Sequence, residues 1–288
     1  MRLGTRGSAL ALAQARLVAD LLGGAEIVEV ETSGDRGATG DKARFVKELE
    51  EALLTGEVDL AVHSAKDVPA ALPAGLALVG APDRADARDA LCGAASLTDL
   101  PEGASVGTAS VRRRSQLLAL RPDLEVAELR GNVDTRLRKL AEGEHAAIVL
   151  ACAGLDRLGR RDEGNPMTEL VPAAGQGCIA LEARADDSAA AEAGASVTDP
   201  DSLVRLTAER ALVTALDATC DTPVGALARL DGQALRLTAY AGLPDGSVWV
   251  RDEHEGSAAE PSALGGQVAE RLVAAGAGEI LDEAEGAA

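Results

Sequence analysis

At 288 residues the chain is long enough for two or three domains, and its formal charge of −19 is too acidic for a broad nucleic-acid-binding face. Apolar residues make up 47% of it but are heavily alanine, and no window approaches the roughly 18–20 consecutive apolar residues of a membrane span. The only aromatic side chains are Phe45, Tyr240 and Trp249, too few for a base-stacking platform.

Residues 2–5 read as a strand, and Ser8 as the cap of a helix in which Leu10, Ala13, Leu17 and Leu21 follow the helical period. Arg6, Gln14, Arg16 and Asp20 within 1–22 make this an amphipathic helix rather than a secretory signal. Residues 27–32 alternate like a strand, and a Gly-rich loop precedes a helix over 43–54. Residues 59–62 form an apolar strand that feeds His63, Ser64, Lys66 and Asp67 into a connecting turn closed by Pro69. In an open α/β sheet, ligands bind outside the carboxyl ends of strands, so this turn is the first candidate site. A carboxylate beside an ammonium suits acid/base work on a charged substrate; taken alone, a solvated loop with a surface ion pair is the better explanation, and other parts of the chain overturn it. A strand over 76–79 follows.

A second unit starts near Asp86. It reads as a strand over 105–108, a helix capped by Ser110 and running to Leu120, a strand over 124–129, a helix over 134–141, and a strongly apolar strand over 146–152 followed by 153–158. Residues 171–177, rich in small residues and proline, look like a hinge before a strand over 178–182. Beyond Asp199 a capped helix runs to about Leu216. Strands separated by Asp231-Gly232 and Pro244-Asp245-Gly246 turns then form an antiparallel sheet, with a final helix from about Ser262. The strand–helix alternation predicts layered α/β architecture, and the remainder a separate α+β domain.

Charge is unevenly spread. Between 105 and 139 there are eight basic residues (Arg112, Arg113, Arg114, Arg121, Arg130, Arg136, Arg138, Lys139) against four acidic ones (Asp123, Glu125, Glu128, Asp134), which in so acidic a chain predicts a site for a small polyanion. Four strand-to-helix junctions, at 5–8, 108–113, 130–136 and 153–157, each combine helix-start N–H groups, small or polar residues and arginine, an arrangement suited to carboxylates. The four cysteines (Cys92, Cys152, Cys178, Cys220) show no CxxC pair and no His at metal-ligand spacing, and are expected to be reduced, in the cytoplasm. Cys92, Cys152 and Cys178 sit in or beside apolar runs and read as inert core; Cys220, between a helix end and a Pro-closed strand, reads as exposed.

Seven stretches, Thr5-Arg6-Gly7-Ser8, Phe45 to Glu50, Val62 to Pro69, Gly107 to Arg113, Leu129 to Val133, Pro172 to Gly177 and Cys220 to Gly225, occur in the order found in the porphobilinogen deaminase (hydroxymethylbilane synthase) family, which the chain resembles over essentially its full length. The resemblance implies two α/β lobes with mixed sheets, like the two-lobed periplasmic-binding-protein fold, over 1–82 with 178–197 and over 87–171, plus a smaller C-terminal α+β domain over 200–288. It implies a transferase that joins four porphobilinogen molecules head to tail, with loss of ammonia, on a dipyrromethane cofactor held by a thioether to Cys220. Asp67 falls on the catalytic aspartate. Ser64, Lys66, Thr108, Ser110, Arg112, Arg113, Arg130, Gly131, Asp35 and Lys42 fall on cofactor-binding positions, and Arg6, Ser8, Arg136, Arg157, Phe45 and Gln176 on substrate-binding ones. Phe45 would stack on a pyrrole or pack as a helix-face core residue. A cytoplasmic monomer is implied, with neither nucleic acid, membrane nor metal as partner, passing its product to uroporphyrinogen-III synthase.

The chain departs from the family pattern in two places: Ala218-Thr219 replace the usual Gly-Gly before the attachment cysteine, and the loop over 33–44 is shorter than usual and lacks a glycine pair before the lysine. Two rivals compete. An anion-binding module, which the same fold also provides, explains the arginines but has no use for Asp67 beside Lys66 or for Cys220. A thiol or metal hydrolase lacks a His partner, since His63 precedes the turn and His145 and His254 lie on polar segments.

Overall fold

The structure is a computed structural model that describes residues 1–31, 46–219 and 221–286. The expectations for Asp35, Lys42, Phe45 and Cys220 lie outside the described residues. The chain opens with β1 (Arg2–Thr5), α1 (Ala9–Leu21), β2 (Glu26–Glu29), α2 (Lys47–Leu54), β3 (Leu60–Ser64) and β4 (Leu76–Gly80). It then crosses to a second lobe made of β5 (Asp89–Cys92), β6 (Ser105–Gly107), α3 (Val111–Leu120), β7 (Glu125–Ala127), α4 (Val133–Ala141), β8 (Ala147–Ala151), α5 (Cys152–Arg157) and β9 (Asn165–Pro166). It returns as β10 (Ile179–Arg184) and α6 (Ser188–Ser196).

The first sheet has the order β2-β1-β3-β10-β4 and the second β7-β6-β8-β5-β9. In each, a central strand pairs in parallel on one side and antiparallel on the other, with the strand that has just crossed from the opposite lobe: β10 against β3, and β5 against β8. Central strands covered on both faces read as continuous apolar runs, which is why Leu60, Ala61 and Val62 are all buried. Leu3, Val18, Leu60, Val62, Ile179 and Leu181 fill the first core, and Leu91, Val106, Leu117 and Val149 the second.

The two connections between lobes run side by side, with Ala85 N donating to Gly177 O at 3.3 Å. Gly177 has φ +89°, and a Cβ there would lie 2.5 Å from Ala85 O, so this approach requires glycine.

The third domain contains α7 (Pro200–Ala215), capped by Asp199, then β11 (Val224–Asp231), β12 (Ala234–Gly242), β13 (Trp249–Ser257), α8 (Pro261–Ala274) and α9 (Ala277–Gly286). Its three strands form an antiparallel meander over Leu212, Leu235, Leu237, Leu264 and Val268. The domain grips both lobes. Glu209 of α7 pairs with Arg84 of the first connection at 2.7 Å, and the Tyr240 hydroxyl of β12 lies 2.8 Å from Ser115 Oγ of α3.

Several elements differ from the sequence expectations. His63 and Ser64 belong to β3, not to the turn after it, because β10 extends the pairing through Ser64. The strands β5 and β9 carry no local signal of their own, and the C-terminal helix is two helices, separated at Gly276 with φ +99°.

Candidate active site

Beyond β3 the backbone makes one 3-10 turn over Ala65–Asp67, anchored by Ala65 N donating to Cys178 O at 3.0 Å. Arg210 of α7 then donates to the carbonyls of Val68 (3.2 Å), Pro69 (2.8 Å) and Ala70 (3.1 Å), so the third domain clamps the segment that follows Asp67. Asp67 itself is half-buried. Ser64 Oγ is engaged by buried Gln14 of α1, whose Nε2 donates to it at 2.9 Å. Beneath the turn, His63 Nε2 lies 3.0 Å from Glu182 Oε2, both side chains buried, although neither atom makes a hydrogen bond among the described residues.

In the second lobe, Thr108 Oγ1 accepts from Ser110 N at 3.2 Å, and Ser110 Oγ caps α3 by accepting from Arg113 N at 3.4 Å. The cap turns Arg112 and Arg113 inward. Their guanidiniums, 3% and 5% exposed, converge on the fully buried Asp89 that opens β5. Arg112 Nη1 donates to Asp89 Oδ2 at 2.8 Å, and Arg113 Nε and Nη2 to Oδ1 at 2.9 and 2.7 Å. Burial alone would push the Asp89 carboxyl up, but the two guanidiniums more than reverse this and hold it well below the usual carboxylate range. Burial and the neighbouring Arg113 push Arg112 down, against the pull of Asp89.

Arg136 of α4 has a buried Nε with no hydrogen-bond partner among the described residues. Burial and the nearby Arg113 push its pKa down to about 10, opposed by Asp67, so it remains charged at neutral pH and lies within electrostatic reach of Asp67. Arg136 is therefore within electrostatic reach of Asp67 in one lobe and of Arg113 in the other. Gln176, on the second connection, accepts from Lys66 Nζ at 3.2 Å and donates to Asp89 Oδ1 at 2.9 Å.

The remaining predicted residues are more dispersed. Ser8 Oγ caps α1 by accepting from Ala11 N at 3.3 Å, with half-buried Arg6 just before it. A Cβ at Gly154 of α5 would lie 3.7 Å from Leu10 of α1 and 4.0 Å from Val133 of α4, so these three helix starts meet where the lobes face each other. Arg157 lies in the last turn of the six-residue α5, not at a helix start as the sequence pattern implies, and donates to Gly177 O at 2.7 Å. Arg130 is exposed and paired with Glu128 at 2.6 Å, with Asp221 close enough to raise its pKa further. That places the residue following Cys220 near Arg130. Gly131, φ +116°, would bring a Cβ to 2.8 Å from Thr135 Cγ2.

Cys92, Cys152 and Cys178 are buried, and burial pushes their thiols up to about 11, 12 and 11. None offers an accessible thiolate. Sequence reasoning missed Asp89, Gln14, Arg84, Glu182, Glu209 and Arg210, which act on the site residues rather than in the motifs. Asp89 has no signal in the sequence, since its partners come from α3 and the second connection.

The profile described as "Porphobilinogen deaminase, dipyromethane cofactor binding domain" matches residues 1–192, and that described as "Porphobilinogen deaminase, C-terminal domain" matches residues 203–274. Curated relatives named porphobilinogen deaminase include one from Roseiflexus castenholzii, 47% identical with 98% of each chain covered, and one from Thermus thermophilus, 48% identical with 96% of this chain and 97% of the relative covered. Among solved structures, a Salmonella typhimurium periplasmic binding protein is 13% identical over 70% of this chain and 93% of its own, with a TM-score of 0.40. At that score the architecture rests on the strand orders above. By the extent of both profiles and the full-length relatives, the chain belongs to the porphobilinogen deaminase family.

Proposed function

We propose that the chain is a hydroxymethylbilane synthase: a transferase that condenses four porphobilinogen molecules head to tail with release of ammonia, on a dipyrromethane primer tethered to Cys220. The observation that carries the reading is the convergence of Asp67, Lys66, Arg136 and the Asp89-linked Arg112–Arg113 pair on the space between the lobes. Each pyrrole ring of such a primer carries an acetate and a propionate. The orphaned Nε of Arg136 and the single counter-charge shared by two arginines fit a ligand that supplies carboxylates.

The primer, when bound, supplies a nucleophilic pyrrole carbon. The rest falls to the chain. Arg112, Arg113 and Arg136 hold carboxylates and so orient the rings, with Ser8, Arg6, Arg157, Thr108, Ser110, Arg130 and Gly131 around them. Loss of ammonia leaves the aminomethyl carbon of the substrate electron-poor, the C–N electron pair departing with nitrogen. The Asp67 carboxylate would stabilise the positive charge spread over that ring and accept the proton released from the nucleophilic pyrrole carbon as the new C–C bond forms. Arg210 and Gln14 fix the turn from which it acts.

The same reading assigns 1–82 with 178–197 to one lobe, 87–171 to the other and 200–288 to the third domain; in its support, the strands of each sheet fall inside these ranges. It also takes the enzyme as a cytoplasmic monomer handing hydroxymethylbilane to uroporphyrinogen-III synthase. Three unbridged cysteines accord with a reducing compartment.

The test is intact mass together with colour on an aldehyde reagent for pyrroles, on protein made in cells that supply porphobilinogen. A mass increase of two pyrrole units, lost in Cys220→Ala and retained in Cys178→Ala, is expected. An unmodified parent that releases no ammonia from porphobilinogen defeats the reading in favour of an anion-binding module.

A further inference from the structure

Among the described residues, the most heavily bonded polar side chain between the lobes belongs to none of the recognised motifs. Asp89 Oδ1 accepts from Arg113 Nη2 (2.7 Å), Arg113 Nε (2.9 Å), Gln176 Nε2 (2.9 Å) and Arg112 Nη2 (3.3 Å), while Oδ2 accepts from Arg112 Nη1 (2.8 Å). The amide of Gln176 is fully used: Nε2 also donates to Ala87 O at 2.8 Å, and Oε1 accepts from Lys66. Gln176 is therefore placed as a link rather than as a ligand.

Two consequences follow from charge and geometry. A carboxylate between two guanidiniums locks both planar forks, and it leaves the cluster one positive charge in excess for a ligand carboxylate to meet. In addition, Lys66, Gln176, Asp89 and Arg113 form an unbroken path of direct hydrogen bonds from the turn carrying Asp67 in one lobe to α3 in the other. Low dielectric strengthens such buried paths and makes their members interdependent.

We propose that Asp89 is a positioning residue for the reaction: it orients Arg112 and Arg113 and, through the amide of Gln176, keeps Lys66 in register with them across the hinge. The kinetic consequence rests on the transferase reading above; the structural one does not.

The experiment compares full-length parent, Asp89→Asn, Gln176→Leu and the double variant. Kinetics are measured on the covalently loaded fraction identified by intact mass, so that misfolded chains do not count. Ammonia release should fall about 10- to 100-fold in kcat in each single variant, with KM for porphobilinogen within about threefold of the parent. The double variant should be little worse than the poorer single, because both cut one path. Hydrogen exchange at the amides of 65–68 should quicken in Asp89→Asn although the substitution lies in the other lobe.

Multiplicative kinetic losses, or unchanged exchange over 65–68 while 111–114 opens, would overturn the proposal. If Asp89→Asn does not fold, Gln176→Leu decides: exchange must quicken at both 65–68 and 111–114, and a response in one lobe only refutes the coupling. A loaded parent that releases no ammonia removes the transferase reading and leaves the exchange comparison standing.

Discussion

Asp67 and Asp89 are both carboxylates near arginines, yet their surroundings give them different work. Asp67 is half-buried on a turn, within electrostatic reach of Arg136, and the three carbonyls that follow it are held by Arg210. Asp67→Asn keeps that shape and removes the charge; turnover should fall by at least about 100-fold in ammonia release from protein loaded with preformed primer, and activity within a few-fold of the parent would remove Asp67 from the mechanism. The neighbouring arginines of α3 also differ. Arg113→Leu strips a buried carboxylate of two bonds and should cost about 3–5 kcal/mol in urea unfolding as well as activity, whereas Arg114→Leu, an exposed side chain donating to Val126 O, should cost under about 1 kcal/mol. Equal losses would argue against an inward face at Arg113. Asp67 was legible because a strand, a polar turn and a proline mark it locally; Asp89 was not, since its partners come from α3 and the hinge.

At the scale of elements, helix starts were the most readable feature: the caps at Ser8 and Ser110 stand where the sequence puts them, because a cap is a local bond. The end of β3 was misread for the opposite reason. His63 is polar, and its buried neighbour at 3.0 Å, Glu182, stands on β10, which only the crossing topology brings beside β3. The same acid disturbs α2. Burial and Glu182 push Glu50 above the ordinary glutamate range, with His63 opposing. A raised folded-state value means that its contribution to stability is complete below the unfolded value of about 4.3 and is lost as pH rises through the folded one. Glu50→Gln, which mimics the protonated acid, should therefore raise the melting midpoint at pH 7.5 and leave it unchanged near pH 4. A lower midpoint at pH 7.5 would show that the charge of Glu50 is needed.

For the molecule as a whole, acid should act through the cluster between the lobes. The folded-state value of Asp89 is depressed, so its stabilisation is complete above the unfolded carboxyl value of about 4 and is lost as pH falls below that through the folded value. Urea unfolding of the parent should weaken steeply below about pH 4, and Asp89→Asn should show a shallower dependence there; parallel curves would place the acid sensitivity elsewhere. The two-lobed plan and the third domain were legible from strand–helix alternation, but the way they interlock was not. Glu209 accepts from Arg84 of the first connection at 2.7 Å, from Gly175 N of the second at 2.6 Å and from Ala228 N of β11 at 2.7 Å. Both connections are thus pinned to one carboxylate, which makes it a fulcrum. Any rotation of the lobes about it would move each atom in proportion to its distance from the pin. Gln176, whose own carbonyl is held by Arg84, would then move little, and the exposed rim of the second lobe more. A chain of rings that lengthens outward would find room at the rim without loosening the end where bonds are made.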